Sequence, residues 1–235
     1  MMKKIPGILL CFVLMLGVLC GCGEAQPGTS GVPYEDKVYD EVIAYVKEVL
    51  TLPADATMPD GMEGIFEFGQ IYGDEALDLM CYQYRDVNED LVPELLIGVS
   101  MNEPGSYLRN QIYQVYTVVD TEPVCVISGS YRSSYSLLTN DNFGYFASDS
   151  AIHSILGEYS LEENGVVDCV SYYFTHETEE NPEEIAVYYN TSGFFVPDLS
   201  EKTDLKLGGF ETISEEMALR TLPLTEDARP LREYQ

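Results

Sequence analysis

"YRDVNEDLVPELLIG", Tyr84 to Gly98, carries two signals in one short run. Asp86, Asn88, Asp90 and Glu94 place oxygen-bearing side chains at close, regular intervals. The apolar segment "ELLIG" follows at once. A hard cation such as calcium wants six to eight oxygen ligands at roughly 2.3–2.6 Å, and a chain supplies several only by curling tightly. Asp86, Asn88 and Asp90 stand at positions 1, 3 and 5 of such a curl. Val92 offers its carbonyl at position 7, and Glu94 stands at 9. Position 12 is Ile97, so the bidentate Glu of an EF-hand is missing. Two readings stay open: a calcium loop, or a metal-free acidic turn in which Asp86 and Asn88 bond the loop's own amides. Either one delivers "ELLIGV" into the core as a strand.

The segment resembles the D-x-D-x-D-G-x-x-D/E loops that precede a strand in dockerin-like and FG-GAP-like calcium loops. More closely, "YQYRDVNEDLVPELLIG" is similar to a Y-x-x-x-D-x-D-x-D-G-x-x-E-L-L-I-G segment found in a group of uncharacterised lipoproteins of Gram-positive bacteria. The resemblance implies a helix before the segment, short antiparallel strands after it and an acidic-capped helix near the end. It implies no activity. This chain departs from the pattern at position 6, where Leu91 stands in place of Gly. Forcing a Leu to positive φ costs about 1–2 kcal/mol. Asn88 also replaces a charged ligand by a neutral one.

Upstream, Glu35 to Leu50 has Val38, Val42, Tyr45, Val46 and Val49 at helical spacing, and Pro53 ends it. Ala54 to Gly73 reads as a loose stretch. From Leu77 the period falls to two, first in "LDLMCYQY" (Leu77–Tyr84). Downstream runs include Gln111–Val119, His153–Leu161, Val166–Thr175 and Ile185–Asn190. Ile155, Tyr159 and Leu161 alternate with Ser154, Glu158 and Ser160, as in a half-buried strand. Turn chemistry such as "TNDNFG" and "EENG" separates the runs, with no helix between them. "TISEEMALRTL" (Thr212–Leu222) reads as a helix with Ser214 as N-cap. The fold class is therefore α+β: a mostly antiparallel sheet of about eight short strands, an N-terminal helix and a C-terminal helix.

The N-terminus reads as a secretory signal, with a basic start (Lys3, Lys4) and an uncharged run from Ile5 to Cys22. Leu19-Cys20-Gly21-Cys22 resembles a bacterial lipobox, which makes Cys22 the lipidated residue. Two acyl chains anchor stably, at about 0.8 kcal/mol per buried CH₂. An uncleaved membrane helix and a plainly cleaved signal are the alternatives. The organisation expected is a signal peptide over 1–21, a lipidated Cys and flexible tether over 22–33, one domain over 34–224 and a frayed tail over 225–235. This places the protein on the extracytoplasmic face of the cell membrane, held there through its lipid anchor.

Composition excludes some classes. Twelve basic residues against 40 acidic ones give a net charge of −28, which disfavours nucleic acid as a partner. Outside the export signal remain Cys81, Cys125 and Cys169, with no CxxC, and they read as small buried strand residues. One disulfide and a spare thiol is the alternative. His153 reads as half-buried and structural, and His176 opens a solvated acidic run. No hydrolase or phosphate-loop motif occurs. Tyr172, Tyr173, Phe174, Tyr188, Tyr189, Phe194 and Phe195 read first as core and cross-strand pairs, and second as the lining of a carbohydrate or peptide groove. The function expected is a non-catalytic binding or surface-structural module, its ligand a protein or a carbohydrate. The alternative is an envelope-associated hydrolase using a carboxylate pair. Calcium is the candidate ion, and no catalytic residue is nominated.

Overall fold

The computed structural model of the chain describes residues 35–99, 110–150, 152–224 and 227–234. The expected signal, Cys22 and the expected tether lie outside the described residues. Strand β2 (Glu94–Val99) is buried at every position. Its burial on both faces explains why it reads as an unbroken apolar run. It pairs antiparallel with β1 (Met80–Arg85) on one side and β3 (Gln111–Val119) on the other. Leu95, Ile97 and Val99 enter one core, while Leu96 faces a second core with Ile112, Val115 and Phe143. At Gly98 the register with β3 shifts, and a Cβ there would lie 2.3 Å from the Gln111 carbonyl oxygen. Only glycine allows that approach.

The sheet extends outward from this centre through β5 (Ser133–Leu137), β6 (Phe143–Ser148), β7 (Ser154–Leu161), β8 (Val167–Glu177) and β9 (Ile185–Asn190). It ends at β10 (Glu201–Lys202) on that side and at β11 (Arg229–Pro230), beside β1, on the other. Strand β4 (Glu122–Ser128) lies along β3, whose remaining edge touches β5 at Ile112. The sheet has 11 strands rather than about eight, and every pairing described is antiparallel. The two-residue strands β10 and β11 are too short to show any period, which is why the sequence conceals them.

One sheet face is covered by α2 (Asp40–Leu50), which follows the single turn α1 (Glu35–Val38), and by α3 (Glu63–Tyr72). The buried face of α2 is Tyr39, Ile43, Val46, Val49 and Leu50. Expectation put Val42 and Tyr45 on it, but Tyr45 is 42% exposed. Both sets have helical spacing. Tyr39 decides between them, because its hydroxyl donates to the Pro93 and Tyr116 carbonyls at 3.0 and 3.3 Å and pins the helix to the sheet. Helix α3 replaces the expected loose stretch. Its glycines lower helix propensity, yet Gly69 lets α3 press on α2, where a Cβ would meet the Leu50 carbonyl at 2.3 Å. Leu77–Leu79 belongs to a helical turn, α4 (Ala76–Leu79), and the strand begins only at Met80.

Helix α5 (Leu207–Leu219) lies over the far half of the sheet, with Phe210 against Leu156 and Val187. It begins well before the expected cap Ser214, which is interior. Gly208 and Gly209 disguise its first turn. Two further corrections follow. Described residues 227–234 are not frayed: β11 pairs with Cys81 and Tyr82, and Leu231 is fully buried in the core beneath α2. The domain therefore continues past 224, because an apolar Leu and a paired strand edge hold that end down. Among the described residues, Cys125 and Cys169 are free thiols, and Cys125 is exposed on the outer strand β4 while Cys169 is half-buried and Cys81 is buried.

Candidate functional site

The loop between β1 and β2 has the curl expected of it. Leu91 N–H donates to Asp86 Oδ2 at 3.0 Å, Asp90 N–H to Asn88 Oδ1 at 3.2 Å, and Val92 N–H to Asp90 Oδ1 at 2.7 Å. Asn88 Nδ2 donates to Asp90 Oδ2 at 3.1 Å. Thus positions 1, 3 and 5 come together. Asp86 Oδ1 is buried without a hydrogen-bond partner, and an orphaned carboxylate oxygen is what a cation would satisfy. Leu91 holds φ at 71° and is 84% exposed, so it occupies the position of the missing Gly with no packing to offset the strain. Leu91→Gly is therefore expected to stabilise the fold by about 1 kcal/mol, the strain relieved less the added chain entropy. Chemical denaturation would measure it, and a loss of stability would contradict the strained-turn account.

Glu94 is placed differently. It is fully buried, accepting from Val87 N–H at 2.9 Å through Oε2 and from the Thr117 hydroxyl at 2.9 Å through Oε1. Both oxygens are thus turned to the protein. Burial, the largest influence, pushes its carboxyl up to about 7, against the hydrogen bonds that favour the charge.

On the far half of the sheet, Tyr172, Phe174 and Tyr188 are buried, with Phe174 stacked on Tyr188 at 5.4 Å. These rings are core, as first expected, while Phe194 stands 67% exposed. At the end of this aromatic face the two histidines meet. His153 and His176 stack at 4.9 Å, and Phe195 lies 5.6 Å from each ring. Nothing in sequence joined them. His153 is half-buried as expected, but His176 is half-buried beside it rather than part of a solvated run.

A cleft of about 770 Å³ opens between α5 and β5–β6. Phe146 and Ser134, register partners, form its floor with Ser136. Asn110, Gln111 and Thr221 add polar edges, and Glu215, Ala218 and Leu219 of α5 form the wall. Asn110 is 7% exposed, has φ of 54°, and its Oδ1 is buried without a hydrogen-bond partner. These residues come from separate elements and share no motif, so sequence reasoning missed them. Among the described residues, one carboxylate, that of Glu215, lines this cleft.

Two other carboxyls are shifted the opposite way, towards the anion. Glu158, expected on a solvent face, is 8% exposed, and Arg220 with Asn140 and Asn142 holds its carboxyl down to about 2. The His153 hydrogen bond likewise lowers that of Glu177. These features define an α+β domain on an open antiparallel sheet, with an oxygen-rich loop at one end and a polar cleft under its last long helix. Comparisons with family models, curated proteins and solved structures return no match.

Proposed function

We propose that the chain is a membrane-anchored extracytoplasmic lipoprotein, held through lipid on Cys22, whose domain is a non-catalytic module that binds a small neutral polar ligand, a carbohydrate. The observation that carries the binding reading is the cleft with the orphaned Asn110 Oδ1. Its volume of about 770 Å³ suits a small molecule rather than a protein surface. Phe146 offers a ring face for a sugar's apolar side, while Ser134, Ser136, Gln111 and Asn110 offer hydrogen-bonding edges. The alternative, a hydrolase using a carboxylate pair, would need two acids about 5–9.5 Å apart across the substrate. Among the described residues of the cleft the carboxylate is that of Glu215.

The test is a thermal-shift and calorimetric screen of mono- and oligosaccharides. A ligand at 100 times its Kd adds about 2.7 kcal/mol of stability. Asn110→Gly removes the amide while keeping the positive φ unstrained, so it should lose the ligand and stay folded. A hit indifferent to Asn110→Gly and Phe146→Ala, or no hit at all, would sink the cleft. Palmitate label retained on Cys22→Ala would sink the anchor.

Calcium remains the ion the loop suits, with Asp86, Asn88, Asp90 and the Val92 carbonyl as its ligands. The orphaned Asp86 Oδ1 supports this, and Glu94 joins only if it leaves Thr117.

A further inference from the structure

We propose that His153, His176 and Glu177 form a second metal site, one for a divalent transition-metal ion of the zinc class. The argument begins with register. Ile155 of β7 pairs with Phe174 of β8, and two residues further out along the same register His153 comes opposite His176. The chain's two histidines therefore share one end of one strand pair. Glu177, the last residue of β8, brings its carboxylate between them. Its Oε2 lies 2.7 Å from His153 Nε2 and 3.5 Å from His176 Nδ1. One ligand atom from each of the three residues falls within 4.8 Å of the others. Ligands about 2.0–2.2 Å from a tetrahedral zinc lie roughly 3.4 Å apart, so small side-chain rotations close the set.

The chemistry of the donors decides the metal. Two imidazoles and one carboxylate suit zinc and its neighbours, whereas calcium and magnesium prefer oxygen alone. The fourth position falls to water or to an outside ligand, as in sites with three protein ligands.

The surroundings also fit. All three residues are half-buried, open enough for an ion to enter and shielded enough to hold it. Phe195 rests against both rings and supplies an apolar wall. Asp149 Oδ2 lies 3.9 Å from His153 Nδ1. That is where an outer carboxylate would accept the other ring N–H and orient the imidazole. His176 Nδ1 donates to the Glu177 carbonyl at 2.9 Å. Binding through Nδ1 shifts that proton to Nε2, a change of tautomer that leaves the ring neutral.

The experiment uses the purified full-length chain with Zn²⁺ and, as a spectroscopic probe, Co²⁺. One Zn²⁺ per chain should raise Tm. Co²⁺ should give the absorption of a low-coordinate nitrogen and oxygen site without a thiolate charge-transfer band. His153→Gln and His176→Gln should each weaken binding by roughly 100-fold or more. Asp149→Asn should weaken it by about 10-fold, the lower end for an outer partner. Modification of the wild-type histidines by diethylpyrocarbonate should be blocked by Zn²⁺. That readout needs no variant and so survives any failure of a variant to fold. Absence of a Zn²⁺-dependent shift at millimolar metal, a thiolate band, or unprotected histidines would each overturn the site. The cluster would then be an interstrand ion pair.

Discussion

Arg220→Met is expected to destabilise the domain by about 3 kcal/mol at neutral pH, the cost of leaving a buried charge without its partner. Arg220, at the end of α5, donates Nη1 to Glu158 Oε2 and Nη2 to Oε1, both at 2.9 Å. Asn140 and Asn142 donate to the same Oε1 at 2.9 and 2.7 Å. Arg220 also reaches Asn140 Oδ1 at 3.0 Å. This network ties α5, the β5–β6 turn and β7 into one unit, and Glu158 is its most buried member. For a domain of this size 1 kcal/mol moves Tm by about 2–4 °C, so the melt should fall by roughly 6–12 °C. The pH dependence gives a second check. Glu158 sits at about 2 in the fold against an ordinary 4.5. The unfolded chain therefore takes up the proton first as pH falls. The contribution of about 3 kcal/mol is complete above pH 4.5 and drains away towards pH 2. Wild type and variant should converge in acid. The double variant Arg220→Met, Glu158→Leu should recover much of the loss, since no buried charge is left over. A single-variant loss below about 1 kcal/mol would mean that the pair is solvated in solution.

Glu158 also shows where the sequence stops being legible. The alternation over 154–161 places a strand correctly and misplaces its solvent side. Even-numbered Leu156 and Glu158 are buried beneath α5, while odd-numbered Ile155 and Tyr159 join the aromatic core. Period two reports which residues share a face. It does not report that both faces are covered, because that depends on a helix about fifty residues away in sequence. The same limit hid α3, whose glycines count against a helix by propensity yet are required by close packing, Gly69 against Leu50 and Gly64 against Gly129. Asp86, Asn88 and Asp90 were legible because their geometry is local, set within one turn of chain. The cleft and the histidine pair are products of register and long-range packing. Only the strand order brings Asn110, Ser134 and Glu215 to one place, or sets His153 against His176.

Glu94→Gln tests the reading of the opening stretch most directly, and its expected effect is a gain. Glu94 has no exposed surface, and its carboxyl sits at about 7 against an ordinary 4.5. Between these values the fold holds a proton that the unfolded chain has released. Stability therefore falls as pH rises through that window, by about 3 kcal/mol once the buried carboxyl ionises. A glutamine matches the existing partners. Its oxygen accepts from Val87 N–H, and its amide donates to Thr117, whose hydroxyl rotates to accept. Glu94→Gln should thus be near neutral at pH 4 and more stable than wild type by about 3 kcal/mol at pH 8, read from denaturant curves at the two pH values. No difference between the two pH values would mean that water or an ion reaches the carboxylate. Calcium then separates the roles within the loop. If the ion is held by Asp86, Asn88, Asp90 and the Val92 carbonyl, Glu94→Gln keeps its calcium-dependent rise in Tm and Asp86→Asn loses it. If Glu94 swings out to take the ninth position, its own substitution abolishes the rise. In that case the buried carboxylate is a ligand in waiting, and its unfavourable charge is the stored cost that the ion relieves.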